Sequence, residues 1–219
     1  MKNSTKFLML VIFMDVLLVP TYGATNRTTT DLGLLPFASL DVGSTTVEDE
    51  TEMIGGFSIG SEYTVYTEGA FSSNSKLTLK MISREENNLF YQTEVEGTAL
   101  MVGQTANYDF ALGGLNFQVY GQGEIGYGKI SSSSSYEISM FGQNQSGKAE
   151  GSAGSVIADA SIGLRYYMDN NMVPFIAGGY RMFKVTGIEY EGEANLAANL
   201  PKDIDMSSAY ASVGLGYQF

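Results

Sequence analysis

The chain has no cysteine, no histidine and no tryptophan, only 4 prolines, and 12 Lys and Arg against 24 Asp and Glu. Each shortage closes off a class of function. Without cysteine there is no disulfide, thiol nucleophile, lipid anchor on Cys or thiolate metal site. Without histidine there is no Ser-His-Asp or Cys-His arrangement and no usual zinc site, so paired carboxylates are the hydrolytic route left. No enzyme, cofactor or metal ion is therefore expected. The net charge of −12 argues against nucleic acid as a partner, because phosphate binding needs clustered Lys and Arg.

Long hydrophobic runs are also missing, except at the amino terminus. Lys2 and Lys6 precede an apolar run from Phe7 to Val19, interrupted by Asp15 and followed by Pro20 and Gly23-Ala24. That order is the order of a secretory signal peptide, and the run is shorter than the roughly 20 residues a spanning helix takes. Residues 1–23 are read as a signal peptide and 24–36 as an N-terminal extension. Loss of Lys2, Lys6 and Asp15 removes one net positive charge and takes −12 to −13. What the remainder has in quantity is Gly (26), Tyr (14) and Phe (12), a composition suited to closely packed strands with aromatic borders. The fold class is β.

The apolar residues recur by twos, and such alternation sends successive side chains to opposite faces of a strand. Ala209 to Phe219 puts Ala209, Ala211, Val213, Leu215, Tyr217 and Phe219 on one face and Tyr210, Ser212, Gly214, Gly216 and Gln218 on the other. A membrane-barrel strand needs this, with lipid outside and a polar lumen inside. Gly56 to Tyr66 sets Phe57, Ile59, Tyr63 and Val65 against Ser58, Gly60, Glu62 and Thr64, and Lys76 to Ile82 sets Leu77, Leu79 and Met81 against Lys76, Thr78 and Lys80. Leu89 to Met101 is read with Leu89, Tyr91, Val95, Ala99 and Met101 outward and Glu94 and Glu96 inward, followed by a short piece with Tyr108, Phe110 and Leu112 outward. Leu115 to Ile130 turns Gln118, Gln122 and Glu124 inward, and Val156 to Met168 turns Asp159, Ser161 and Arg165 inward. In Met172 to Ile188 the face Val173, Phe175, Ala177, Gly179 would carry Arg181 into lipid, so a bulge near Gly178-Gly179 is expected to return Arg181 to the lumen.

The connections alternate in length, as in outer-membrane barrels. Gly113-Gly114 and Asp169-Asn170-Asn171 read as tight turns, Ser131 to Gly154 and Glu189 to Ser207 as long hydrated loops. The acids Glu48, Asp49, Glu50 and Glu52, and Glu189, Glu191, Glu193, Asp203 and Asp205, read as solvated loop charges. Phe37 to Val47 is a further candidate strand, so strand one is either 37–47 or 56–66.

The segments I-G-G-F-S-I-G-S-E-Y at 54–63, V-Y-G-Q-G-E-I-G-Y-G-K at 119–129, S-I-G-L-R-Y-Y-M-D at 161–169 and S-V-G-L-G-Y-Q-F at 212–219 resemble small eight-stranded bacterial outer-membrane proteins of the outer membrane protein X and opacity-protein type. The resemblance implies an up-and-down antiparallel transmembrane β-barrel over 37–219, exported to the cell outer membrane. It also implies a non-enzymatic role in envelope integrity, or in surface adhesion and host interaction through external loops. A small porin or channel for cationic or hydrophobic solutes is the alternative. Expected partners are outer-membrane lipid and lipopolysaccharide, the barrel assembly machinery through a C-terminal signal at Tyr217 and Phe219, and a host or surface ligand. An eight-stranded barrel has an interior just wide enough for side chains, and buried charges there must pair. Glu62, Lys80, Glu94, Glu96, Glu124, Asp159, Arg165 and Arg181 are the expected lumen network, with Arg165 and Arg181 facing carboxylates such as Glu124 and Asp159.

Overall fold

The computed structural model describes residues 33–47, 50–87, 92–140 and 143–219. The expected signal peptide, 1–23, and Glu48, Asp49, Leu89 and Tyr91 lie outside the described residues. The strands are β1 (Leu34–Val47), β2 (Glu50–Glu68), β3 (Phe71–Asn87), β4 (Gln92–Leu112), β5 (Leu115–Met140), β6 (Gln143–Tyr167), β7 (Met172–Val185), β8 (Tyr190–Gly192), β9 (Ile204–Asp205) and β10 (Ser208–Tyr217), with one short helix, α1 (Ala194–Asn199), between β8 and β9. β1 through β7 pair in sequence as antiparallel neighbours, β10 pairs with β7, and β10 with β1 closes the sheet. The barrel thus has eight strands, β1 to β7 and β10. Strand one is the 37–47 candidate, and it begins at Leu34 rather than Phe37.

Tight turns sit at one end. Gly113 and Gly114 both have positive φ (62° and 83°), the geometry of a two-residue hairpin turn that right-twisted strands favour. Asn171 (φ 67°) and Gly69 (φ 61°) supply the positive φ of the other two turns. The Gly69 turn was not anticipated from sequence. At the opposite, loop end the strands run on. β5 and β6 pair from Asn116↔Tyr167 to Met140↔Gln143, so residues 131–140 and 143–154 form the two arms of a long ribbon, not the loop expected. Serine can occupy either face of such a ribbon, and Ser132 and Ser134 are buried in it.

Two face assignments are corrected. Leu89–Met101 and Tyr108–Leu112 belong to one strand, β4, whose even-numbered residues face outward throughout. Glu94 and Glu96 are therefore exposed, and Val95, Ala99 and Met101 are buried. The segment Ala-Leu-Met-Val at 99–102 is apolar on both parities, and the inward set finds apolar company. Ile54, Ile82, Val95, Met101, Ile130, Ile157, Phe183 and Val185 fill the loop-end half of the lumen, joined by Ile188, Ile204 and Met206 from the β7–β10 connection. In β7 the expected bulge is absent. Its register against β10 runs unbroken from Ser208↔Arg181 to Tyr217↔Met172, and Val173, Arg181, Phe183 and Val185 are all buried on one inward face.

The outward surface is apolar. Leu40, Val42, Leu100, Val102, Ile125, Val156, Ile162, Ile176 and Val213 are between 42% and 65% exposed. At the turn end this belt is bordered by aromatic contacts, Phe71 with Tyr108 (4.9 Å), Phe117 with Tyr166 (5.3 Å) and Tyr217 with Phe219 (5.0 Å). On β5 the outward apolar stretch runs from Leu115 to Tyr127 and ends at Lys129; on β4 it runs from Leu112 to Leu100, interrupted by Gln104, which donates to Ser75 Oγ at 2.9 Å, and ends at Thr98 and Glu96.

Phe183 is the keystone of the apolar plug. Its ring reaches from β7 to Gly97 and Gly128, where an added Cβ would come within 2.7 Å and 2.9 Å of it. Phe183→Ala is expected to cost about 3–5 kcal/mol and Gly97→Val about 1–3 kcal/mol, from cavity and overpacking respectively. Urea titration in detergent micelles checks both; a loss below about 1 kcal/mol for Phe183→Ala would show that the plug contributes little.

Candidate functional site: the paired charges of the lumen

Alternation along each strand sends polar side chains into the turn-end half of the lumen, below the apolar plug. Asp41 comes from β1, Glu62 from β2, Lys76 and Lys80 from β3, Glu124 from β5, Asp159 and Arg165 from β6, and Arg181 from β7; all are buried. Four carboxylates thus face four cations. Removal from water would be costly for each charge, and pairing is what makes it tolerable.

The pairs form two linked groups. Arg165 Nη2 lies 2.5 Å from Glu62 Oε1, and the Arg165 guanidinium stacks 4.1 Å from the Tyr120 ring. Asn74 donates to the other Glu62 oxygen at 3.1 Å. In the second group Arg181 joins β1 to β6, with Nη2 2.6 Å from Asp41 Oδ2 and Nε 3.3 Å from Asp159 Oδ2. Lys80 lies 2.8 Å from Asp159 and 3.7 Å from Glu124, and Lys76 lies 3.5 Å from Glu124. Tyr210 of β10 donates to Asp159 Oδ1 at 2.6 Å, while Thr78 donates to Glu124 Oε1 at 2.5 Å. Neutral hydroxyls here saturate carboxylate oxygens that the cations do not reach.

Six of the eight residues expected in the lumen are therefore brought together: Glu62, Lys80, Glu124, Asp159, Arg165 and Arg181. Glu94 and Glu96 are not, because β4 turns its odd-numbered residues inward. Arg181 takes Asp159 as one partner, whereas Arg165 takes Glu62 rather than Glu124 or Asp159. Asp41 and the tyrosines Tyr120 and Tyr210 were missed, and Lys76 was read as inward but not as part of the network. The alternation of Phe37 to Val47 carries the signal for Asp41, which is legible once that segment is taken as strand one.

The space left among these side chains is about 20 Å³, room for about one water molecule. Among the described residues no three carboxylates converge as a metal-binding cluster. At the loop end Arg84 Nε lies 3.0 Å from Glu52 and its Nη1 donates to the Asp205 carbonyl at 3.2 Å, tying the β7–β10 connection to the rim. Tyr136 donates to both Glu193 oxygens at 2.9 and 2.8 Å, and β8 pairs with β6 over Ala149–Gly151. The bond to Glu193 raises the Tyr136 hydroxyl pKa, since ionising the phenol would set two negative charges together.

Arg181→Met is expected to cost about 3–5 kcal/mol, because Asp41 and Asp159 lose a buried partner. Adding Asp41→Asn should recover part of that loss. Strict additivity in the urea-unfolding cycle would mean the two residues are not coupled.

No protein-family model matches the chain, and no curated protein matches it. Solved structures similar to this chain include outer-membrane proteins. Neisserial surface protein A matches at a TM-score of 0.47 and 10% identity, over 85% of this chain and 97% of that one. Ail, the attachment invasion locus protein of Yersinia pestis, solved with the heparin analogue sucrose octasulfate, matches at 0.46 and 14% over 86% and 100%. A major outer membrane protein from Thermus thermophilus matches at 0.49 and 9% over 84% and 99%.

Proposed function

We propose that the protein is an integral outer-membrane barrel, exported by its amino-terminal leader, whose lumen is plugged and whose work lies at its loop end. The observation that carries this is the exposed aliphatic belt around a closed sheet. Water would not tolerate so continuous an apolar surface, whereas lipid requires it, and closure leaves no edge unpaired in hydrocarbon. The belt on β5, Leu115 to Tyr127, is 13 residues long, enough for a tilted spanning strand, which needs about 9–11 residues. The turn end is then periplasmic, and the β5–β6 ribbon with the β7–β10 connection stands outside.

The role is non-enzymatic: envelope integrity, or adhesion to a host or surface ligand through the ribbon and the connection. The paired lumen charges support it, since each of the four lumen cations is engaged with a carboxylate and the space left among them holds about one water molecule. Outer-membrane lipid and lipopolysaccharide contact the belt. The exposed Tyr217 and Phe219, at the end of the closing strand, are the signal read by the barrel assembly machinery.

Membrane fractionation with protease shaving of intact cells tests compartment and topology together. The full chain is expected in the outer membrane with heat-modifiable gel mobility, cut only at the loop end; recovery in a soluble fraction would overturn the proposal. Depth along the belt gives a finer test. Ile162→Arg is expected to cost about 2–4 kcal/mol and Glu94→Arg less than about 1 kcal/mol, reflecting mid-bilayer and interfacial positions. In planar bilayers the purified protein is expected to give no stepwise conductance, and regular steps would favour the porin alternative.

A further inference from the structure

The aliphatic belt carries an amide within it. Gln104 of β4 is exposed on the outward face, with Val102 and Leu100 beyond it toward the loops and Tyr108 and Phe110 toward the turns, all exposed as well. Its Nε2 donates to Ser75 Oγ at 2.9 Å, and Ser75 is its directly opposite neighbour on β3. An amide has two N–H donors and an oxygen with two lone pairs. Among the described residues the bond to Ser75 is the one hydrogen bond of this side chain, so Oε1 and the second N–H are left over. At a water-facing surface solvent would satisfy them; hydrocarbon offers nothing, and a polar group without a partner there is costly.

The strand on the other side of Gln104 supplies an independent observation. Gly123 of β5 stands opposite Gln104, and Gly121 stands opposite Ala106; all four residues are exposed on the outward face. Most barrel glycines answer to the chain itself, as at Gly103 and Gly126, where an added Cβ would strike a neighbouring backbone carbonyl. Gly121 and Gly123 do not. An added Cβ at either would meet nothing within 4 Å, and neither has the positive φ that favours glycine. Glycine inside a strand weakens it and marks a place where another backbone comes close. The amide therefore borders a flat patch whose smallness the barrel itself does not require.

We propose, resting on the membrane reading above, that this face of β4 and β5 joins two copies of this chain, with Gln104 at the centre of the interface. Whatever covers the patch must offer hydrogen-bonding groups at the depth of Gln104, and a lipid chain has none. A second copy has them. Two barrels inserted in the same direction are related by a two-fold axis along the membrane normal, so each residue of one meets the other at its own depth. An amide is complementary to itself, the free N–H of each copy facing the Oε1 of the other. Gly121, Gly123 and Ala106 let the two sheets approach closely enough for those bonds, as small residues do between helices in lipid.

Sedimentation equilibrium of the full-length protein in density-matched detergent micelles tests this, with folding checked by heat-modifiable gel mobility. The wild type is expected to be a reversible dimer. Gln104→Leu is expected to weaken the dimer about tenfold, the scale of one or two hydrogen bonds in lipid, without lowering the urea midpoint of the monomer, since leucine suits lipid. A merely structural role for Gln104 would show the opposite, lost stability with unchanged association. Gly123→Leu is expected to fold and to abolish the dimer by bulk, whereas Ala211→Leu, exposed on β10 across the barrel, should leave it intact. Should Gln104→Leu fail to fold, Gly123→Leu decides. A folded monomer at every protein-to-detergent ratio, or a dimer that these two variants leave unchanged, overturns the interface while the membrane reading stands. A chain that stays folded and soluble without detergent overturns both.

Discussion

Closure of the sheet between β1 and β10 is the constraint on which the other features depend. Eight registered pairs, from Phe37↔Gly216 to Ser44↔Ala209, join the first strand to the last. Once they form, the eight barrel strands have no free edge between them, and each residue is committed to the lumen or to the outside. A one-residue slip would send Asp41 outward and Leu40 inward. The pairing of Asp41 with Arg181 across the lumen and the hydrogen bonding of β1 to β10 therefore specify the same register from two directions.

The lumen is layered. Toward the turns it is polar, with carboxylates and cations matched and hydroxyls filling the remaining oxygens. Toward the loops it is apolar, closed by Phe183 and by Ile188, Ile204 and Met206 of the last connection. The two layers stabilise differently. Hydrophobic burial in the plug contributes roughly in proportion to area, whereas the charge layer is tolerated because it is paired and is destabilising chiefly when one partner is removed. The negative charge of the chain consequently falls on the outside, at exposed residues such as Glu85, Glu94, Glu96, Glu150, Glu189 and Glu191.

Much of this was legible residue by residue. The outward faces of Gly56–Tyr66, Lys76–Ile82, Leu115–Ile130, Val156–Met168 and Ala209–Phe219 follow from alternation, because each has an apolar parity facing a polar or small one. β4 and β7 were misread for one shared reason. Their inward residues pass through both layers, so Val95, Met101, Val173 and Phe175 look like lipid-facing residues although they pack against other lumen side chains. A polar-lumen rule fails where a connecting segment folds into the barrel and fills it. The β5–β6 ribbon was missed because serine- and glycine-rich strands lack the hydrophobic contrast on which alternation depends.

Local alternation and turn chemistry suffice for the β class, the tight turns at Gly113-Gly114 and Asn171, and the inward sign of Glu62, Lys80, Glu124, Asp159 and Arg165, because those are properties of a single strand with period two. Which cation meets which carboxylate, that Asp41 belongs among them and that Glu94 and Glu96 do not follow from the assembled barrel alone. Those outcomes join residues up to 140 positions apart, as in Arg181 and Asp41. Such contacts are set by the closure and register of the whole sheet, and no local pattern encodes them.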